Sequence, residues 1–150
     1  MIRIAICDDE KQAVDQHERI VKDCLQTEGI GYEITTYTQS RNLLYDITDD
    51  GIFYDLILLD IEMPGISGME IPKQIKAFLP NIRIIFVTSH TEYAIDAFEL
   101  SIFRYVPKNN LNAKLTAAVA DAVRLIELEG GQEYVIQTAN RMEKIPYKDL

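Results

Sequence analysis

Short apolar runs alternate along this chain with longer stretches in which apolar residues recur at helical spacing. Continuous apolar runs are typical of strands that are covered on both faces of a parallel sheet. Recurrence every three or four residues is typical of amphipathic helices. The pattern predicts five strands, at 2–7, 32–37, 56–59, 82–87 and 102–106. It predicts five helices, at 10–28, 41–48, 67–78, 92–100 and 110–129.

Strict alternation of strand and helix predicts how these elements are arranged. Five successive βα units imply a parallel sheet with right-handed crossovers and helices on both faces. We therefore predict an α/β fold, a (βα)5 doubly wound parallel sheet with strand order 2-1-3-4-5. In such a sheet, ligands bind at the carboxyl ends of the strands, where the strand order switches. For this order the switch lies between the first and third strands.

Acidic residues follow the two strands at that switch. Asp8 and Asp9 follow the first strand, and Asp60 follows the third. Two unit charges ~4 Å apart repel by ~4 kcal/mol at an effective dielectric constant of ~20, so three carboxylates at one sheet edge are unfavourable without a cation. Mg²⁺ prefers oxygen ligands of this kind. The pattern therefore predicts a magnesium site at this edge.

Two further polar residues lie at strand ends on the same edge. Thr88 closes the fourth strand, and Lys108 follows the fifth. A carboxylate in this setting can accept a phosphoryl group, while Lys108 and a metal ion offset the charge on the phosphoryl oxygens and Thr88 donates a hydrogen bond. The five polar residues together predict phosphoryl chemistry.

Composition and charge narrow the class of protein. The chain has 150 residues and a formal net charge of −9, which argues against a nonspecific nucleic-acid surface within it. Cys7 and Cys24 have no metal-ligand spacing and are predicted to be reduced core residues. His17 is predicted to be a packed helix residue.

No apolar stretch approaches ~18 residues and no secretory signal is evident, so we expect a cytoplasmic protein that does not contact a membrane.

The residues at the strand ends resemble those of response-regulator receiver domains of two-component signalling, over roughly residues 1–128. The resemblance implies a flavodoxin-like fold and a switch module that is not itself an enzyme. The matching stretches are Ile6-Cys7-Asp8-Asp9-Glu10, the run from Asp55 through Asp60 and Met63-Pro64-Gly65 to Gly68, then Ile85-Phe86-Val87-Thr88-Ser89, and finally Tyr105 and Lys108.

The resemblance implies a role for each carboxylate. Asp60 is the expected phosphoacceptor, and a sensor histidine kinase is the expected donor. Asp9 and Asp60 are expected to ligate Mg²⁺ directly, together with the backbone oxygen of Glu62. Asp8 is expected to act mainly through water.

The resemblance also implies how the signal leaves the site. Thr88 and Tyr105 match the family's switch pair, in which the hydroxyl turns toward the phosphoryl group and the aromatic ring turns inward. Lys108 matches the lysine that contacts the phosphoryl group. The output face is expected around the last two units, and a homodimer through residues 90–129 is an expectation of the same kind.

A narrower resemblance concerns the second half of the chain. The segment from Thr88 to Glu99 resembles receivers that are joined to LytTR-type DNA-binding domains, and the tail resembles the first strands of that β-rich domain. We therefore predict a receiver domain at 1–129, and a linker with the incomplete start of a LytTR domain at 130–150. Short strands are predicted at 134–137 and 142–145. DNA would be bound only through the missing part.

Alternatives remain at this level. The family usually has Lys-Pro after the fifth strand, whereas this chain has Pro107-Lys108-Asn109, so the lysine loop could follow another path. That difference motivates a phosphorylation-independent interaction module as the alternative function. A phosphatase of similar architecture is a third hypothesis, although such enzymes carry their nucleophile after the first strand. Nucleotide binding is disfavoured because no glycine-rich loop follows the first strand.

Overall fold

The computed structural model describes residues 1–61, 70–89 and 99–139, with side chains as far as residue 130. Its strands are β1 (Ile2–Cys7), β2 (Tyr32–Tyr37), β3 (Leu56–Leu59), β4 (Arg83–Thr88) and β5 (Arg104–Pro107). Its helices are α1 (Lys11–Glu28), α2 (Ser40–Thr48), α3 (Glu70–Phe78) and α4 (Leu111–Ala139). The predicted helix at 92–100 lies outside the described residues apart from its last two.

The five strands form one parallel sheet in the order β2-β1-β3-β4-β5. This confirms the predicted doubly wound, flavodoxin-like α/β fold. Cys7 at the end of β1 lies opposite Leu59 at the end of β3, and Thr88 lies opposite Pro107 in β4 and β5. The carboxyl ends of the four strands thus lie at one edge, with β4 and β5 reaching two residues beyond β3.

Apolar side chains cover both faces of the sheet. One core cluster joins alternate residues of β1, β3 and β4 to α1 and α4, and the other joins the remaining sheet residues to α2 and α3. All four residues of β3 are buried, as expected for a central strand. Cys7 and Cys24 form no disulfide within the described part of the chain and both are buried, which confirms the core assignment of both thiols.

Local sequence explains most helix boundaries. α1 ends at Gly29, whose φ of 71° is the left-handed conformation that a residue without a Cβ adopts readily. α2 begins at Ser40, one residue before the predicted start, and Gln39 occupies the cap position without a side-chain hydrogen bond. Ser40 is buried. Pro72 lies in the first described turn of α3, where its missing donor matters least.

The C-terminal helix is longer than predicted. α4 continues through Gly130 and Gly131 to Ala139, so the predicted end at these glycines and the predicted strand at 134–137 are both wrong. Each glycine weakens a helix by about 1 kcal/mol relative to alanine, but neither ends it unless the backbone turns left-handed. A strand needs a neighbour to satisfy its backbone groups, whereas a helix satisfies them within itself. The predicted strand at 142–145 lies outside the described residues.

No helix within the described residues combines the length and the apolar character needed to span a membrane.

Candidate functional site

Backbone hydrogen bonds hold the polar residues at the carboxyl edge in register with the sheet. The Asp8 N–H donates to the carbonyl oxygen of Tyr37 at 3.2 Å, and the Asp60 N–H donates to that of Cys7 at 3.1 Å. The Lys108 N–H donates to the carbonyl oxygen of Thr88 at 2.9 Å. Each bond extends a strand ladder by one step. The positions of these side chains are therefore set by the sheet and not by a free loop.

Three carboxylates meet at this edge. Asp8, Asp9 and Asp60 each offer an oxygen atom, and these atoms lie within 4.8 Å of one another. Asp8 is completely buried and Asp60 is 6% exposed, whereas Asp9 faces solvent. Because Asp8 and Asp60 lie largely out of water, their mutual repulsion is screened less than at a free surface.

Lys108 lies between the two buried carboxylates. Its ammonium nitrogen is 3.1 Å from Asp8 Oδ2 and 3.3 Å from Asp60 Oδ2, and it donates a hydrogen bond to each. Partial burial of the ammonium opposes its charge, but the carboxylates of Asp60 and Asp8 outweigh that effect and raise the pKa of Lys108. The lysine is therefore charged and acts as the internal counterion of the site.

Asp8 connects the site to the start of α1. Its Oδ1 accepts a hydrogen bond from the Glu10 backbone N–H at 3.0 Å, while its Oδ2 accepts from Lys108. Both oxygens of Asp8 are thus engaged by the protein itself. This leaves the more exposed Asp9 and the strand-end Asp60 as the carboxylates with freer access to an ion.

Negative charge remains in excess despite the lysine. Burial of the carboxyl group, followed by the charge of Asp8 and a hydrogen bond to it, raises the pKa of Asp9. Burial, with help from the charges of Asp8 and Asp60, raises the pKa of the Cys7 thiol to about 12. Burial is the largest cause of both shifts and the negative charge of Asp8 adds to it in each case, so this edge disfavours further negative charge.

The donor set fits magnesium. Hard carboxylate oxygens of three residues face one another, and a single ammonium balances only part of their charge. Asp9 and Asp60 would hold the ion most directly, and Asp8 would support it from behind. Glu62, whose backbone oxygen the sequence predicted as a further ligand, lies outside the described residues.

A family comparison agrees with this geometry. The model of the response regulator receiver domain matches residues 4–120, which is most of the chain. The chain belongs to the response regulator receiver domain family.

Relatives and solved structures extend the comparison. The receiver domain is 33% identical over 118 residues to the transcriptional regulatory protein NatR of Bacillus subtilis, a match that covers 79% of this chain and 48% of NatR. The chain spans about half the length of the curated relatives it matches.

Two solved structures show the same fold. The receiver domain protein of Clostridium thermocellum is 26% identical, with a TM-score of 0.71 over 85% of this chain and 98% of that one. The response regulator TrrA of Thermotoga maritima, solved in complex with Mg(2+)-BeF, is 34% identical, with a TM-score of 0.59 over 79% of this chain and 99% of that one.

Thr88 and Tyr105, which the sequence predicts to be a switch pair, lie on β4 and β5. Thr88 is completely buried at the end of β4. The ring of the half-buried Tyr105 on β5 meets the ring of Phe86 edge-on, with the centroids 6.4 Å apart and an interplanar angle of 72°. Phe86 and Tyr105 are cross-strand neighbours in the parallel ladder. The two switch candidates are therefore carried by adjacent strands.

Sequence reasoning missed one feature of this receiver domain. His17 is buried on α1, as predicted for a packed helix residue, but its Nε2 has no hydrogen-bond partner among the described residues. Burial lowers the pKa of His17 to about 4, and the neighbouring charges of Asp8 and Lys108 push it in opposite directions. The imidazole is therefore close enough to the site to feel its charges. A histidine on the apolar face of an amphipathic helix was the signal in the sequence.

Proposed function

We propose that Asp60 of this receiver domain accepts a phosphoryl group from the phosphohistidine of a sensor kinase, in the presence of Mg²⁺, and that the resulting change controls transcription. Asp9 and Asp60, with the Glu62 backbone oxygen, would hold the ion, and Asp8 would act through water. The domain would be a switch and not an enzyme with turnover of its own.

One observation carries this proposal: the Lys108 ammonium bridges Asp8 and Asp60 at 3.1 and 3.3 Å while a third carboxylate lies within reach of both. An arrangement built only for stability would not collect three carboxylates around one ammonium, because the remaining repulsion destabilises the fold. The surplus negative charge is understandable if a second cation completes the site.

The transfer step can be written with its bonds balanced. A carboxylate oxygen of Asp60 attacks the phosphorus, an oxygen–phosphorus bond forms as the phosphorus–nitrogen bond of phosphohistidine breaks, and the released imidazole takes up a proton from solvent. The Lys108 ammonium, already beside Asp60, is placed to donate to a phosphoryl oxygen. Bound magnesium would supply electrostatic stabilisation of the phosphoryl oxygens.

Charge explains why the modified state differs from the resting one. Phosphorylation converts the singly charged Asp60 carboxylate into an acyl phosphate whose phosphoryl group carries up to two negative charges, so the site gains about one net negative charge together with strong acceptor oxygens. Lys108 then has new partners, so its bonds to Asp8 and Asp60 must rearrange, and the hydroxyl of Thr88 becomes a donor to the new group. We infer that movement of Thr88 opens space for the ring of Tyr105, which links the site to the β5 side of the domain.

Acetyl phosphate with Mg²⁺ offers the direct test. Intact-mass measurement should show the addition of one phosphoryl group to the native chain and none to Asp60→Asn. Asp55→Asn is the matched control, because Asp55 lies at the opposite end of the same strand. Its Oδ2 accepts a hydrogen bond from the Arg3 backbone N–H at 2.9 Å, and the Asn oxygen can still accept that bond. This control should be modified like the native chain.

Two results would overturn the proposal. The first is native protein that stays unmodified although its fold is intact and Mg²⁺ is present. The second is equal modification of native protein and Asp60→Asn, which would move the acceptor elsewhere. Steady release of phosphate from a small phosphomonoester would instead support the phosphatase hypothesis.

The link to transcription rests on relatives. The Bacillus subtilis relative NatR is named as a transcriptional regulatory protein, and the match covers 48% of its length. We propose that the residues after α4, which runs to Ala139, lead into a LytTR-type DNA-binding domain. Sequencing the gene beyond the codon for Leu150 tests this: about 100 further residues rich in short strands should follow. An immediate stop codon would refute it.

The alternative function, a phosphorylation-independent interaction module, was motivated by a loop that could lead Lys108 away from the site. The position of Lys108 does not favour that alternative. Every described peptide bond is trans, and Lys108 still reaches Asp8 and Asp60. The Pro107-Lys108 order therefore leaves the ammonium within hydrogen-bonding distance of both carboxylates, which supports the phosphorylation-dependent proposal.

A further inference from the structure

A groove between α1 and α4 is not used by the proposed phosphotransfer. It has a volume of about 730 Å³ and lies beside the C-terminal half of α1 and the N-terminal half of α4. None of Asp8, Asp9, Asp60 or Lys108 contributes to its lining. The groove is therefore a separate surface feature of the domain.

Small side chains on α4 create this groove. Ala113, Thr116, Ala117 and Ala120 succeed one another along the side of α4 that faces α1, and Cys24 of α1 forms part of the floor. The Cys24 thiol lies 3.7 Å from the Thr116 carbonyl oxygen, so the floor is closed by direct contact between the helices. Side chains this short let another helix approach closely, because interaxial distance depends on residue size at the contact.

An exposed leucine continues the same stripe. Leu128 lies four residues after Arg124, the last α4 residue that lines the groove, and eleven after Ala117, which places it on the same side of the helix. It is 58% exposed, beyond the point where α1 ends at Glu28. A helix lying along the groove would cover both the alanine floor and this leucine.

The borders of the groove carry an acidic bias. Asp23, Glu28 and Asp121 line it against a single arginine, Arg124. Arg124 pairs with Glu28 at 2.8 Å, and Asp121 pairs with Arg104 at 3.1 Å. Asp23 has no ion-pair partner in the part of the chain that the structure describes. The unbalanced charge at the border is negative, and a second copy of a chain with net charge −9 would meet like charge there.

We propose that the α1/α4 groove binds a basic amphipathic helix of a partner protein. Large apolar side chains of that helix would fill the space over Ala117 and Cys24 and contact Leu128. Its arginines or lysines would pair with Asp23 and with the other border carboxylates. This surface is distinct from the carboxylate site, so the interaction does not depend on whether Asp60 accepts phosphate.

A titration followed by nuclear magnetic resonance tests the proposal. The probe is a synthetic helical peptide of about 18 residues with leucines on one face and arginines on the flanks, added to the ¹⁵N-labelled chain. Mg²⁺ is kept at 10 mM throughout so that the carboxylate site does not attract the peptide. Saturable shifts should centre on residues 20–28 and 113–128, and a peptide with glutamates in place of the arginines should not bind.

Matched variants locate the contact. Asp23→Asn should weaken binding about threefold, whereas Asp15→Asn, the same change on the same helix outside the groove, should not. Ala117→Phe should weaken it about tenfold by filling the floor, whereas Lys114→Phe, on the same helix but outside the lining, should weaken it far less. Spectra of the free variants verify that each remains folded.

Three outcomes would overturn the proposal. Shifts spread over the acidic surface would show nonspecific attraction. Equal effects of Asp23→Asn and Asp15→Asn would show that the groove does not select the peptide. Concentration-dependent shifts at the groove in the chain alone would show that its occupant is a second copy and not a basic partner helix.

Discussion

Ion pairs at the carboxyl edge of the sheet and ion pairs along α4 both join a cationic side chain to a carboxylate, but they differ in how far they are exposed to water. Lys108 lies between Asp8, which is completely buried, and Asp60, which is nearly so. Arg104 and Asp121 form their pair with each side chain 46% exposed. Water screens the second pair much more than the first, so charge changes at the edge should alter stability more than charge changes along α4.

The largest expected effect is a pH-dependent loss of stability at His17, which tests whether the region next to the edge is shielded from water. Burial lowers the pKa of His17 to about 4 from an ordinary value of 6.5. The unfolded chain therefore binds a proton at His17 more readily than the folded chain does. Protonation of His17 has no effect on the free energy of unfolding above pH 6.5, and it lowers that free energy as the pH falls from 6.5 toward 4. The loss attributable to His17 should reach roughly 3 kcal/mol near pH 4.

His17→Leu isolates this contribution. Urea unfolding between pH 7 and pH 4.5 should show a steeper loss of stability in the native chain than in His17→Leu, and the difference should widen steadily on acidification. Carboxylates titrate in both proteins and cancel in the subtraction. A difference that stays constant with pH would mean that the imidazole is solvated, and the contrast between the two regions would weaken.

Removal of the internal counterion should have the next largest effect. Lys108→Met keeps most of the aliphatic stem but leaves Asp8 and Asp60 without their ammonium. Breaking a buried pair destabilises by several kcal/mol, and because the lysine side chain is 26% exposed we expect about 2 kcal/mol. Chemical unfolding without metal measures the loss, and 10 mM Mg²⁺ should recover part of it. A variant that is as stable as the native chain would contradict the role of Lys108 as counterion.

Removal of one carboxylate should stabilise the metal-free domain. Asp60→Asn lowers the repulsion among Asp8, Asp9 and Asp60, and we expect a gain of about 1 kcal/mol in the free energy of unfolding without Mg²⁺. The gain should shrink when Mg²⁺ is added, because the native site then has its second cation. Asp55→Asn is the control and should show no gain. A loss of stability in Asp60→Asn would indicate that its hydrogen bonds outweigh the repulsion.

The smallest effect is expected at the exposed pair. A double-mutant cycle with Arg104→Met and Asp121→Asn should give a coupling below about 0.5 kcal/mol, since both partners are well solvated. Thermal or chemical unfolding of the four proteins measures it. A coupling as large as the loss in Lys108→Met would remove the difference between the two regions.

Much of the fold could be predicted because local patterns carry the information. The run from Ile2 to Cys7 and the buried β3 were found within a residue of their observed bounds, because a continuous apolar run in an alternating βα order has few other uses. Gly29 ended α1 as expected. The continuation of α4 past Gly130 was missed, because glycine lowers helix propensity without deciding the backbone conformation.

The candidate site was predictable to a smaller extent. Strand order brought Asp8, Asp9 and Asp60 to one edge, but the sequence does not say that Asp8 is buried while its neighbour Asp9 is exposed. That difference arises after the strand has ended: Asp8 accepts hydrogen bonds from the Glu10 N–H and the Lys108 ammonium, whereas Asp9 lies at the surface. The electrostatic effect of Asp8 and Lys108 on His17 depends on how α1 packs against the sheet, and the sequence indicates it only weakly.

By itself, the sequence determined the order of elements, the sheet topology and the set of polar residues at the strand ends, because these follow from periodicity and from the handedness of βα units. Only the tertiary structure decided which carboxylates lose their water, that one ammonium bridges two of them, and that α4 leaves a groove beside α1. Burial and distance between residues far apart in the chain are properties of packing, and no local pattern encodes them.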